Sequence, residues 1–99
     1  MIERLAIPAS GTAPSSLETW KDALKGLGHE TRVAKEAGDS WLDIPSIRVR
    51  GFLVFEGEFV EAINFEIQDS NAQSALETLA TTASAIGWEL HDEPDDDEE

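Results

Sequence analysis

The chain contains no cysteine and no tyrosine, and it has only seven lysine and arginine residues among 99. The absence of cysteine excludes disulfide bonds and thiolate chemistry, which fits a reducing compartment. No apolar run approaches the length needed to cross a membrane, and residues 1–4 lack the basic start of a signal peptide. We therefore expect a cytoplasmic protein with no membrane partner.

Acidic residues dominate what is present. The sequence has 21 Asp and Glu residues and a formal net charge of −14, and residues 92–99 hold seven acids and no base. Such a field repels duplex nucleic acid and attracts basic proteins, so we expect a basic protein partner and no nucleic acid. We expect residues 1–91 to form a single α+β domain and 92–99 a disordered acidic tail, which ends in Asp95, Asp96, Asp97, Glu98 and Glu99.

The first half of the chain predicts a strand over residues 2–7 and then a helix. A capping box formed by Ser15 and Glu18 marks the start of this helix, and Leu17, Trp20 and Leu24 form its apolar stripe. Residues 29–36 alternate weakly and predict a second strand. Residues 41–44 are consistent with either a short strand or an apolar loop, and the sequence leaves both open.

Residues 46–67 give the clearest β signal, a hairpin around Gly57. We expect a three-residue loop at 55–57, because this loop places most of the apolar side chains on one face. The inward residues are then Ile47, Val49, Leu53, Phe59, Ile63, Phe65 and Ile67. The outward residues are Arg48, Arg50, Phe52, Val54, Val60, Ala62, Asn64 and Glu66.

A second helix is predicted over residues 71–86, with Ser70 and Gln73 as its capping residues. A last short strand follows at 88–91. The order is β-α-β-β-β-α-β, which predicts an α+β two-layer sandwich of ferredoxin-like type. In this arrangement two helices cover one face of a mixed, mainly antiparallel sheet.

Catalytic chemistry has little support in the sequence. His29 and His91 lie far apart and match no metal-ligand spacing. The Gly-Leu-Gly segment at 26–28 closes a helix, so it is a helix C-cap and not a phosphate-binding loop. We expect no catalytic, cofactor or metal site, and hence a protein that is not an enzyme.

Two surfaces are candidates for protein contacts. The first is an apolar patch beside two arginines on the outward hairpin face: Arg48, Arg50, Phe52, Val54, Val60 and Ala62. The second is the small, neutral face of the second helix, which is unusual in a highly charged chain: Ser74, Thr78, Thr81, Thr82 and Ala85. The sequence favours a non-catalytic interaction or regulatory module. The alternatives are a small ferredoxin-like enzyme or ligand-binding domain, and a self-associating subunit such as a homodimer.

Overall fold

The computed structural model describes residues 2–92, which form six strands and two α-helices. The α+β class is confirmed. The strands and helices follow in the order β1 (Ile2–Pro8), α1 (Leu17–Gly26), β2 (Arg32–Glu36), β3 (Asp39–Ile44), β4 (Val49–Glu56), β5 (Phe59–Ile67), α2 (Ala72–Ala85) and β6 (Trp88–Asp92). Asp92, the first residue of the expected tail, is the last residue of β6, and the rest of that tail lies outside the described residues.

One sheet contains all six strands in the order β2-β3-β4-β5-β1-β6. Each neighbouring pair among residues 2–92 is antiparallel, whereas the expected sheet is mixed and only mainly antiparallel. The undecided segment at 41–44 is part of β3, which pairs with β2 on one side and β4 on the other. A two-residue turn joins β2 to β3, in which Ala37 and Gly38 both have positive φ. Such a turn matches the twist of the strands.

The turn between β4 and β5 has two residues, so the expected three-residue loop is wrong. Glu56 pairs with Phe59 across the turn, and Gly57 takes a positive φ of 64° inside it. A glycine supplies this backbone conformation without a steric cost.

A β-bulge in β5 follows this turn. Val54 pairs with Ala62 and Phe55 pairs with Val60, so Glu61 is an extra residue without a partner on β4. The extra residue reverses the alternation of side chains along β5. Val60 is therefore fully buried and Phe59 is 46% exposed, the opposite of the expected facing.

Both helices begin differently from the expected capping boxes. Ser16 is the N-cap of α1, and its Oγ accepts a hydrogen bond from the backbone N–H of Thr19. Ser15 instead accepts a hydrogen bond from Trp88 Nε1 at 3.0 Å. Helix α2 begins after a 3-10 turn at Asp69–Asn71, and its N-cap residue Asn71 makes no side-chain capping bond.

The core is one cluster of buried residues drawn from both helices and from the strands. Trp20 of α1 lies at its centre, with ring centroids 5.6 Å from Phe65 and 5.3 Å from Trp88. The buried apolar residues are Ala6, Trp20, Leu24, Leu42, Ile44, Ile47, Val49, Leu53, Val60, Ile63, Phe65, Ile67, Ala75, Leu79, Ala83 and Trp88. Neither helix within residues 2–92 has the length and apolar character that a membrane span requires.

Candidate functional site

The sheet has a second face, formed by the strand positions that alternate with the buried ones, which we call the outer face. The register places Ala34 of β2, Trp41 of β3, Phe52 of β4, Asn64 of β5 and Leu5 of β1 across it. No outer-face residue between 2 and 91 is buried; each is half-buried or exposed. Among the described residues, this face is therefore accessible to solvent.

An apolar stripe runs along the outer face over β3, β4 and β5. Trp41 pairs with Phe52 across the strands, and their rings meet edge to face with centroids 5.2 Å apart. Val54 pairs with Ala62, and Phe59 continues the line beyond the bulge. The apolar stripe consists of Trp41, Phe52, Val54, Ala62 and Phe59.

Arg50 holds one end of the apolar stripe in place. Its guanidinium carbon lies 4.5 Å from the centroid of the Trp41 ring. Its Nε donates to Asp43 Oδ1 at 3.0 Å, and its Nη2 donates to Glu36 Oε2 at 3.0 Å. The hydrogen bond to Asp43, with a further contribution from Glu36, raises the pKa of Arg50 above its usual value, so this side chain remains a cation. These contacts restrict the rotamers that are open to Trp41.

Carboxylates surround the apolar stripe. Glu56 lies opposite Phe59 in the register, and Glu66 lies opposite Arg50. Together with Asp43 and Glu36 they form an acidic rim, which we define as Glu36, Asp43, Glu56 and Glu66. An apolar centre with a charged border has the composition of a protein-binding surface.

The first predicted surface is largely assembled in the fold. Arg50, Phe52, Val54 and Ala62 all lie half-buried on the outer face. The prediction is wrong for Val60, which is fully buried in the core because of the bulge and is not part of the outer face.

Arg48 is exposed and does not lie within a strand. It follows the 3-10 turn at Pro45–Ile47 and has a positive φ of 55°.

The second predicted surface, on α2, is not continuous. Ser74, Thr81 and Ala85 are exposed and Thr78 is half-buried. Thr82 is fully buried, and its hydroxyl donates to the Thr78 carbonyl at 2.7 Å. Because this bond satisfies the hydroxyl, Thr82 can face the core, contrary to expectation. The acidic tail residues 95–99 lie outside the described residues.

Sequence reasoning missed two members of the apolar stripe. Trp41 belongs to a segment that the sequence leaves open, although the alternation of Trp41 and Asp43 with Leu42 and Ile44 is typical of a strand. Phe59 was assigned to the core, and no local signal in the sequence marks the bulge that exposes it.

Comparisons with known proteins give no relative on which to base a function. No protein family matches the chain, and neither a curated protein nor a solved structure matches it significantly.

Proposed function

We propose that this protein is a non-catalytic interaction module whose apolar stripe binds a basic protein partner. The observation that carries the proposal is the contact of Trp41, Phe52 and Arg50 on a sheet face whose residues between 2 and 91 are all half-buried or exposed and which carboxylates border. Trp and Arg are enriched among the residues that dominate binding energy at protein interfaces. The acidic rim and the net charge of −14 favour a partner of positive charge.

The same charge argues against nucleic acid as a partner. A duplex binds through basic groups that neutralise its phosphates, and the outer face has more carboxylates than guanidinium groups. Its bases are Arg32 and Arg50. Its acids between residues 2 and 91 are Glu3, Glu36, Asp39, Asp43, Glu56, Glu66 and Glu89.

The proposal is tested by affinity capture from a lysate of the source organism with matched variants. Phe52→Glu places a charge in the apolar stripe, and Thr81→Glu places the same charge on an exposed position of α2. We expect the wild type and Thr81→Glu to retain the same basic protein and Phe52→Glu to lose it. Calorimetry with that protein should show weaker binding as salt rises, because exposed charges are screened beyond about 8 Å at physiological ionic strength.

Three results would contradict the proposal. Capture that Thr81→Glu abolishes and Phe52→Glu leaves intact would move the interface to α2. Retention of an acidic protein would overturn the charge argument. Duplex DNA that binds tightly at physiological salt would overturn the partner class.

We also propose that the fold is a two-layer sandwich of ferredoxin-like type with both helices on one face. Strands β4, β5, β1 and β6 are neighbours in the sheet, α1 follows β1, and α2 precedes β6. Trp20 of α1 and Leu79 of α2 belong to one core cluster with the inward strand residues. Proton NOEs from both helices to Ile63 and Phe65 test this arrangement, and their absence from either helix would contradict it.

A further inference from the structure

A groove of about 380 Å³ lies beside the apolar stripe, where β3 ends and β4 begins. Its lining residues are Arg32, Asp43, Pro45, Arg48, Val49, Arg50 and Gln68. The chain has seven lysine and arginine residues in total, and three of them line this groove. In a chain of net charge −14, this gathering of bases creates a local site for an anion.

The three arginines are held in different ways. Arg50 is occupied by Asp43 and Glu36. Arg32 lies opposite Asp43 in the register, is exposed, and forms no ion pair with any residue from 2 to 92. Arg48 is also exposed and without an ion pair within that range. Two guanidinium groups at the groove are therefore unpaired among the described residues 2–92.

The backbone at Arg48 gives a second reason to regard the groove as a site. Its φ of 55° is a conformation that normally favours glycine, yet the position carries a long cationic side chain. Its backbone N–H bonds to the Pro45 carbonyl at 3.2 Å, which closes the turn and places Arg48 beside Pro45. Unusual backbone conformations of this kind concentrate at ligand-binding positions.

The remaining lining restricts the class of anion. Arg50 and its two paired carboxylates carry a net charge of −1, so together with Arg32 and Arg48 they give the groove a net charge of about +1, which a monoanion balances better than a phosphate dianion does. Pro45 and Val49 offer apolar atoms beside the two free guanidinium groups. A guanidinium donates two parallel hydrogen bonds to a carboxylate, which matches the geometry of this group.

We propose that this groove binds a small carboxylate with an apolar body. Arg32 and Arg48 donate to the carboxylate oxygens, and the apolar body contacts Pro45 and Val49. The groove shares Asp43 and Arg50 with the proposed partner surface, but its test is independent of that partner, because it requires only the chain and a small molecule.

The test is a titration of the isotope-labelled full chain with benzoate, followed through backbone amide shifts. We expect saturable shifts at residues 46–50 and 68 with a dissociation constant in the millimolar range, about 1–10 mM. Arg32→Gln and Arg48→Gln should each raise that constant at least about fivefold, because each removes one charge-assisted contact. Arg48→Lys should retain part of the affinity, since it keeps the charge without the planar fork.

Lys25→Gln is the matched control, because it removes one charge from an exposed position of α1 and should leave the constant unchanged. Dispersed amide spectra verify that each variant is folded. Benzamide that binds as well as benzoate would overturn the carboxylate assignment, and inorganic phosphate that binds more tightly would overturn the monoanion class. The absence of shifts at the groove up to about 50 mM benzoate, or shifts insensitive to both arginine variants, would overturn the site itself.

Discussion

Gly51 lies in the middle of β4 and is buried between two neighbouring strands. A Cβ atom at this position would come within 2.6 Å of Ile63 Cγ2 and 2.9 Å of Phe65 Cε1. The missing side chain thus leaves the space that the Phe65 ring occupies, and this ring in turn contacts Trp20 at the centre of the core.

We expect Gly51→Ala to lower the free energy of unfolding by about 1–3 kcal/mol, because the added methyl group overpacks the core. Gly26→Ala is the matched control: Gly26 ends α1, and a Cβ there meets no atom within 4 Å. The control should raise stability by up to about 1 kcal/mol through helix propensity. Urea denaturation measures both, and a Gly51→Ala variant as stable as the wild type would contradict the packing described.

Ser15 has a structural role that is separate from helix capping. Trp88 is only 3% exposed, and its Nε1 donates to Ser15 Oγ. We expect Ser15→Ala to cost about 1–3 kcal/mol, because a buried donor loses its acceptor. In a Trp88→Phe background the cost should largely disappear, since no donor remains to be satisfied.

Ser16→Ala provides the comparison for this double-mutant cycle. Ser16 caps α1, so its substitution should cost about 1 kcal/mol in either background. Thermal unfolding followed by circular dichroism measures all six proteins. An undiminished cost of Ser15→Ala in the Trp88→Phe background would show that the hydrogen bond does not contribute to stability.

At the scale of single strands, the β-bulge in β5 decides which of its residues lie on the outer face. If Glu61 were not an extra residue, the side chains of Val60 and Ala62 would lie on the same face of the sheet. Because of the bulge, Ala62 lies on the outer face and Val60 lies in the core. Bulges are common where a strand re-aims a side chain. Here the bulge adds Phe59 to the apolar stripe.

A pair of substitutions tests whether Val60 faces the core and Phe59 faces outward, as the bulge requires, or the reverse, as regular alternation would require. Val60→Asp should cost about 3 kcal/mol or more, because it buries an unpaired carboxylate. Phe59→Asp should cost less than about 1 kcal/mol, since the position is 46% exposed. Thermal unfolding of both variants measures these losses of stability. A larger loss for Phe59→Asp than for Val60→Asp would indicate a hairpin without the bulge.

The excess of carboxylates in the whole molecule causes electrostatic repulsion among them, which lowers the stability of the folded state. Its net charge is −14, and residues 93–99 contribute six of the acids. Salt screens such repulsion, and the screening length falls from about 30 Å at 10 mM to about 8 Å at 150 mM ionic strength. The melting temperature should therefore depend on ionic strength.

We expect the melting temperature to rise by about 2–6 °C between 10 and 300 mM sodium chloride, because screening weakens the repulsion among carboxylates. A chain truncated after Asp92 should show a smaller rise. A full-length variant with Asn and Gln in place of the acids at 93–99 should behave like the truncated chain, which separates charge from chain length. Scanning calorimetry measures all three, and a melting temperature that falls with salt would contradict this account.

What the sequence determined by itself follows from local periodicity. Leu17, Trp20 and Leu24 recur at helical spacing, and Val49 and Leu53 alternate at strand spacing, so both patterns predict their burial. Arg50 and Phe52 of the candidate site were predicted for the same reason, because their face follows from that of their strand neighbours. The net charge of −14 likewise follows from the sequence alone.

Only the tertiary structure decided the features that depend on residues distant in the chain. The strand Asp39–Ile44 is settled by pairing on both sides, and Val60 is buried by a bulge defined by its partner strand. Ser15 is diverted from capping by Trp88, 73 positions away. At these positions, the competing local conformations differ in free energy by less than one buried side chain or one hydrogen bond contributes. The long-range contact therefore prevails, and it also brings Arg32, Arg48 and Arg50 to one groove.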